Sequence, residues 1–172
     1  MRKRLRFALL LSTLCAGVNC LFGQQQNPPR IVETIDVRGI DSLIHNRKDK
    51  ALFLNLWATW CKPCVEEFPD IVTLYNEFRN AGVDIVAISV DYPDEVTSKI
   101  LPFLDSLNVP FKTFVANVKK DEDLINELNP SWSGAVPATF IFDKNGKQRT
   151  FMFGQKSLNA FKIEIDSTLN PK

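Results

Sequence analysis

The chain has 172 residues, 45% of them hydrophobic, which suits one domain with a real core. Its formal charge is +1, but four basic residues (Arg2, Lys3, Arg4 and Arg6) lie in the first six positions and no acidic residue precedes Glu33. Without that start, 17 basic residues face 20 acidic ones, a net of about −3, and a mildly acidic body argues against nucleic acid as a partner.

Met1 to Phe22 reads as an export signal: a basic start, then the apolar run Phe7 to Leu14. A buried core helix behind four basic residues at the extreme N-terminus fits poorly. Three fates are open. The leader is cleaved near residues 20–23, or a lipid is attached at Cys15 or Cys20, or the segment stays as an uncleaved membrane anchor. Neither cysteine follows a good lipobox: Ser12-Thr13-Leu14 precedes one and Gly17-Val18-Asn19 the other. Leu5 to Phe22 is marginal for a bilayer, which needs roughly 17–25 residues. Each version puts the domain outside the cytoplasm, in a periplasm or on the outer face of a bacterial membrane, where a disulfide persists. Residues 1–23 are thus the signal or anchor, 24–30 a polar tether ending in two prolines, and 31–170 the domain.

Ile31 to Val37 alternates imperfectly and suits an edge strand. Gly39 to Lys50 is a polar connection with a candidate short helix at Asp41 to His45. Ala51 to Trp57 is nearly all apolar, the pattern of a central strand covered on both faces. Cys61 to Asn80 is the first long helix, with Val65, Phe68, Val72, Tyr75 and Phe78 at three- and four-residue steps. Pro69 interrupts it and should kink it, and Ala81-Gly82 ends it. Val83 to Val90 is a second buried strand, Asp91 to Asp94 a loop, and Glu95 to Leu107 a helix disturbed at Pro102. Phe111 to Val115 is a short strand and Lys120 to Leu128 a charged helix. Ala138 to Phe142 and Lys147 to Phe153 form a hairpin across the turn Asp143 to Gly146, and Ser157 to Leu169 is a last amphipathic helix. From the Ala51 strand onward the order is β-α-β-α-β-α-β-β-α, with no repeat and no second domain. Parallel βαβ units followed by a hairpin predict an α/β fold, a mixed central sheet with helices on both faces.

Trp60-Cys61-Lys62-Pro63-Cys64 stands at the junction of the apolar strand and the long helix. A helix that starts at Cys61 leaves its first amides unpartnered and its dipole positive beside the Cys61 sulfur. The thiolate is favoured there, so Cys61 is the expected attacking sulfur. Cys64, three residues on along the same face, is within reach to close a disulfide. Pro63 lacks only an amide that would be unpaired anyway. The competing readings are half of a zinc or copper site and a purely structural disulfide. A structural zinc needs four ligands, and outside this pair the chain offers only Cys15, Cys20 and His45. Redox chemistry is the better reading.

The segment Asn55-Leu56-Trp57-Ala58-Thr59-Trp60-Cys61-Lys62-Pro63-Cys64-Val65-Glu66-Glu67-Phe68-Pro69 resembles the active site of thioredoxin-fold proteins. More closely it is similar to the extracytoplasmic TlpA/ResA-like thiol–disulfide oxidoreductases. A second matching block runs Gly134-Ala135-Val136-Pro137-Ala138-Thr139-Phe140-Ile141-Phe142-Asp143-Lys144-Asn145-Gly146, and the resemblance spans about residues 30–170. It implies a thioredoxin fold with Cys61 as nucleophile and Cys64 as resolving cysteine. Pro137, after Val136, matches the family's cis-proline, which lies opposite the disulfide and lets a substrate backbone pair with the residue before it. An X-Pro bond is where a cis peptide is cheap. Trp57 and Trp60 match aromatic residues that flank the site, and core or rim packing is compatible with that.

Two positions depart from cytoplasmic thioredoxins. Their buried Asp six residues before the first cysteine is here Asn55, which cannot exchange a proton. Glu67 matches the acid of the TlpA/ResA-like pattern Cys-x-x-Glu-x-Pro. A partly buried carboxylate with a raised pKa would take the Cys64 proton when that thiol attacks the mixed disulfide. A solvated helix residue is the alternative, and is the reading for Glu66. Lys62 either tunes the Cys61 thiolate or points to solvent. Trp132 and Ser133, just before the second block, are open to substrate contact or to packing, and His45 reads as a surface residue.

The resemblance implies an exported enzyme that reduces protein disulfides through a mixed disulfide. Apocytochromes awaiting haem are candidate substrates in this family. It implies no metal or organic cofactor, a membrane thiol electron donor, and a monomer. A peroxiredoxin-like peroxidase of the same fold is one rival, although it leaves the Cys61–Cys64 pair unexplained. A copper chaperone of related fold is another. Those show three residues between the cysteines and a later His, whereas here there are two and no His follows Cys64.

Overall fold

The computed structural model describes residues 30–171. The leader, Cys15 and Cys20 therefore lie outside the described residues, as does nearly all of the tether. The first strand, β1, is Glu33–Ile35, shorter than expected because a helix, α1 (Val37–His45), begins almost at once. The expected polar connection with a helix confined to Asp41 to His45 is corrected here. Asp36 ends the strand and caps the helix, its carboxylate accepting from the Gly39 amide at 2.8 Å. Ile40 and Ile44, four residues apart, then face the sheet.

Five further strands follow: β2 (Ala51–Trp57), β3 (Val83–Ser89), β4 (Lys112–Ala116), β5 (Ala138–Phe142) and β6 (Gln148–Phe153). They lie in the order β1-β4-β3-β2-β5-β6. The first four are parallel; β5 runs antiparallel to β2 and to β6. The turns that follow β2 and β3 therefore meet the segment that precedes β5 at one end of the sheet. The site is built there.

Every residue of β2 is buried, and the strand serves two cores by alternation. Phe53 and Trp57 pack with α2 (Lys62–Phe78), α3 (Leu101–Ser106) and α5 (Leu158–Leu169). Leu52, Leu54 and Leu56 pack with α1 and α4 (Asp121–Leu128) on the other face. Each such fully buried side chain contributes about 1.5–3 kcal/mol relative to exposure. Asn55 is the one polar residue of β2 and points to the α2 face.

The single helix expected over Glu95 to Leu107 is divided. A 3-10 turn (Pro93–Glu95) leads into a π-type turn (Val96–Ile100) and then α3. The Leu101 amide donates to the Val96 carbonyl, five residues back. Pro102 has no amide to continue the ordinary ladder, and the wider turn sits just before it. Pro69, by contrast, lies within a continuous α2.

Candidate active site

β2 delivers the chain to a tight turn in which the Cys61 amide donates to the Ala58 carbonyl at 3.2 Å. Cys61 is the N-cap of α2, and its Sγ accepts from the Cys64 amide at 3.3 Å. Pro63 falls in the first turn, where its missing amide costs nothing, and no acidic residue in that turn offsets the positive helix end. Cys61 and Cys64 are joined as a disulfide with Cα atoms 5.2 Å apart. Cys64 is wholly buried, while Cys61 keeps 5% exposure. An incoming sulfur reaches Cys61 first.

The Val136–Pro137 peptide is cis and lies opposite the disulfide. The Val136 carbonyl oxygen is 3.5 Å from Cys61 Sγ. A disulfide sulfur has no proton to give, so this is a contact and not a hydrogen bond. Pro137 is fastened from behind, its carbonyl accepting from the Gly154 amide at 2.9 Å.

Glu67 lies one turn into α2 beyond Cys64, on the same face, and is 2% exposed. Its Oε1 accepts from Asn55 Nδ2 at 3.0 Å and its Oε2 from the Lys156 amide at 2.9 Å. Burial pushes its pKa from 4.5 up to about 7, against the pull of those two donors. Asn55 also donates to Thr139 Oγ1 at 3.0 Å, and its Oδ1 is buried without a partner. Glu66 is exposed and faces Lys62, whose Nζ is 3.7 Å from Glu66 Oε1 with its own side chain 87% exposed. Lys62 thus points to solvent.

Trp57 is fully buried, its ring 4.6 Å from Phe68 and 4.9 Å from Phe103 between centroids. Trp60 is the opposite case, 65% exposed beside the disulfide. A groove of about 510 Å³ opens next to it, lined by Tyr92, Asn117, Asp121, Trp132 and Gly134 among others. Trp132 is buried against Phe140, and Ser133 is exposed. His45 is an exposed residue beside Gly146, at the far end of the sheet.

The sequence reading missed one buried network. Asp91 is 2% exposed and accepts from the Thr59 amide (2.9 Å), Thr59 Oγ1 (2.6 Å) and Ser89 Oγ (2.5 Å). It ties the turn before Cys61 to the end of β3. An acid directly after a buried strand was the available signal. The Lys156 amide on Glu67 left no signal, because any residue but proline carries one. Among the described residues, no three His, Cys, Asp or Glu side chains converge as a metal site would require.

The AhpC/TSA family model matches residues 34–150, a span that holds both the cysteine pair and the cis-proline block. The thiol-disulfide oxidoreductase ResA of Geobacillus kaustophilus (strain HTA426) is 30% identical over 132 residues, covering 77% of this chain and 71% of that one. ResA of Bacillus subtilis (strain 168) is 29% identical over 154 residues, covering 83% and 80%. In fold, the chain is similar to a thiol:disulfide interchange protein of the thioredoxin family from Chlorobium tepidum TLS. The TM-score is 0.62 at 24% identity, over 73% of this chain and 83% of that one. A redox-capable cysteine pair capping a helix, on a thioredoxin fold and with relatives of this kind, places the chain in the AhpC/TSA family, among its ResA-like thiol–disulfide oxidoreductases.

Proposed function

We propose that the chain is exported and reduces disulfides of extracytoplasmic proteins, with Cys61 as nucleophile and Cys64 as resolving thiol. The observation that carries this reading is the buried Glu67 carboxyl, one turn beyond the inner sulfur and poised to change its proton near neutral pH. In the dithiol form the Cys61 thiolate attacks a substrate disulfide. A Cys61–substrate bond forms, and the other substrate sulfur leaves as a thiolate that takes a proton from water. Glu67 as carboxylate then accepts the Cys64 proton, and the Cys64 sulfur attacks Cys61. The Cys61–Cys64 bond forms, the second substrate thiolate leaves, and two electrons have passed to the substrate. The substrate backbone pairs with Val136, beside Pro137, and Trp60 covers one side of it. Pro63 modulates the pair by starting the helix, whereas Lys62 is turned to solvent beside Glu66.

Each turnover leaves the disulfide form, so a dithiol donor must return two electrons. With the domain (residues 31–170) outside the membrane, that donor is a membrane thiol protein. Residues 1–23 act as signal or anchor and 24–30 as tether, and lipid attachment at Cys15 or Cys20 is one route to retention. Substrates are protein disulfides, those of apocytochromes awaiting haem among them. The chain works as a monomer without a metal or organic cofactor.

The test is trapping. Cys64→Ser, reduced and mixed with a disulfide protein such as insulin, should accumulate a mixed disulfide at Cys61, because nothing resolves it. Cys61→Ser should trap far less. Equal trapping by the two variants would contradict the assignment of nucleophile and resolving thiol.

A further inference from the structure

Trp132 is buried, 3% exposed, yet it stands in the loop that leads to Pro137. Its ring meets Phe140 of β5 edge-on, centroids 5.4 Å apart. Its indole Nε1–H donates to the Ala135 carbonyl at 2.8 Å. The same loop is pinned at its start, where Asn129 accepts from the Trp132 amide (2.9 Å) and from the Ser131 amide (2.8 Å). Gly134 between them has φ +83°, and a Cβ there would lie 3.1 Å from Ile125 Cδ1. The loop is packed down onto α4 and held in one course.

The consequence falls on the next peptide. The carbonyl of Ala135 and the amide of Val136 belong to one planar unit, and in a trans unit they point in opposite directions. The cis bond is the following one, Val136–Pro137, so the Ala135–Val136 unit is trans. An inward Ala135 carbonyl, held on a buried indole, turns the Val136 N–H outward. Among the described residues, the Val136 N–H and C=O have no hydrogen-bond partner, and the C=O lies against Cys61 Sγ. We infer that Trp132 is a positioning residue for substrate recognition: through the Ala135 carbonyl its indole N–H sets the direction of the Val136 amide, the donor a substrate backbone meets beside the disulfide. This rests on the reading that substrate backbone pairs with Val136.

Trp132→Phe keeps a ring in the core and removes the N–H. Losing one such hydrogen bond should raise KM for a peptide disulfide about five- to tenfold while kcat changes less than about twofold. Hydroxyethyl disulfide has no backbone to pair, so the loss for the peptide should exceed the loss for this small disulfide at least about fivefold. Equal losses on the two substrates would assign Trp132 to packing alone and overturn the inference. If Trp132→Phe does not fold, 3-benzothienylalanine at position 132 keeps the indole shape without the N–H, and the same ratio is read. A peptide disulfide with an alkene in place of the amide next to its cysteine has no carbonyl to accept from the Val136 N–H and tests the underlying reading. If the natural protein handles it as well as the parent peptide, the pairing with Val136 fails. If it discriminates while the position-132 variant shows no selective loss, the role of Trp132 alone fails.

Discussion

Asn55 Nδ2 and Glu67 Oε1 are 3.0 Å apart, in a space between β2 and α2 that solvent does not reach. The pair joins the central strand to the helix that carries both cysteines. Only one of the two can titrate. The buried site therefore holds a single exchangeable proton, and burial sets its pKa near about 7.

Glu67→Gln removes that proton acceptor. Resolution of the mixed disulfide should slow on the order of 10²-fold, the usual scale for a positioned base. The inflection near pH 7 should vanish from the pH–rate profile, measured by stopped flow from a preformed Cys61 mixed disulfide. A profile unchanged from the natural protein would remove Glu67 from the mechanism.

The same carboxyl makes stability depend on pH. Its pKa is about 7 folded and near 4.5 unfolded, so between those values the folded state binds more protons. Stability of the oxidised protein should be greatest, with respect to this group, below about 4.5 and fall as pH rises towards 7. The full effect is on the order of 3 kcal/mol. Urea unfolding of Glu67→Gln at pH 5 and pH 8 should show a much smaller fall than the natural protein. Equal falls in the two would mean that Glu67 is not buried as an acid.

Asn55→Asp places a second carboxyl against Glu67. Two acids that close cannot both ionise easily, so the pair should titrate in two steps, the upper one above the single step near 7. The pH–rate profile of resolution should move to higher pH. A profile that stays where it is in the natural protein would show that the two carboxyls do not interact.

Asp91 answers three donors around the turn that leads to Cys61. Asp91→Ala strands the Thr59 amide and hydroxyl and the Ser89 hydroxyl, at a cost of about 1–3 kcal/mol. A lower urea midpoint with unchanged slope would register it. Reduced Cys61 should also lose its uniform alkylation rate as the turn loosens.

β2 and α2 were legible because an apolar run and a three-four spacing each point to one structure. The β5–β6 hairpin was legible because Asn145-Gly146 marks its turn. The start of α1 was hidden by Arg38, Gly39 and Asp41, which dilute its apolar stripe to Ile40 and Ile44. Pro102 flagged a disturbance but not the wider turn before it. In the site, the cysteines were singled out by local spacing, whereas Glu67 and Pro137 stood out only through the resemblance to the TlpA/ResA-like family. The backbone donor of Lys156, 89 residues from Glu67, is a product of packing that no local pattern records. Asn55 read as the loss of a titrating acid, whereas in the fold it is a donor to the acid that remains.

Reduction potential tests the proposed reductase direction most directly. Residues 24–172 would be equilibrated with a thiol buffer and the Cys61–Cys64 couple read by alkylation. A value near about −270 mV or lower is expected, the range of a reductant fed by a dithiol donor. A value near about −120 mV would make the chain an oxidant that introduces disulfides, and would contradict the reductase assignment.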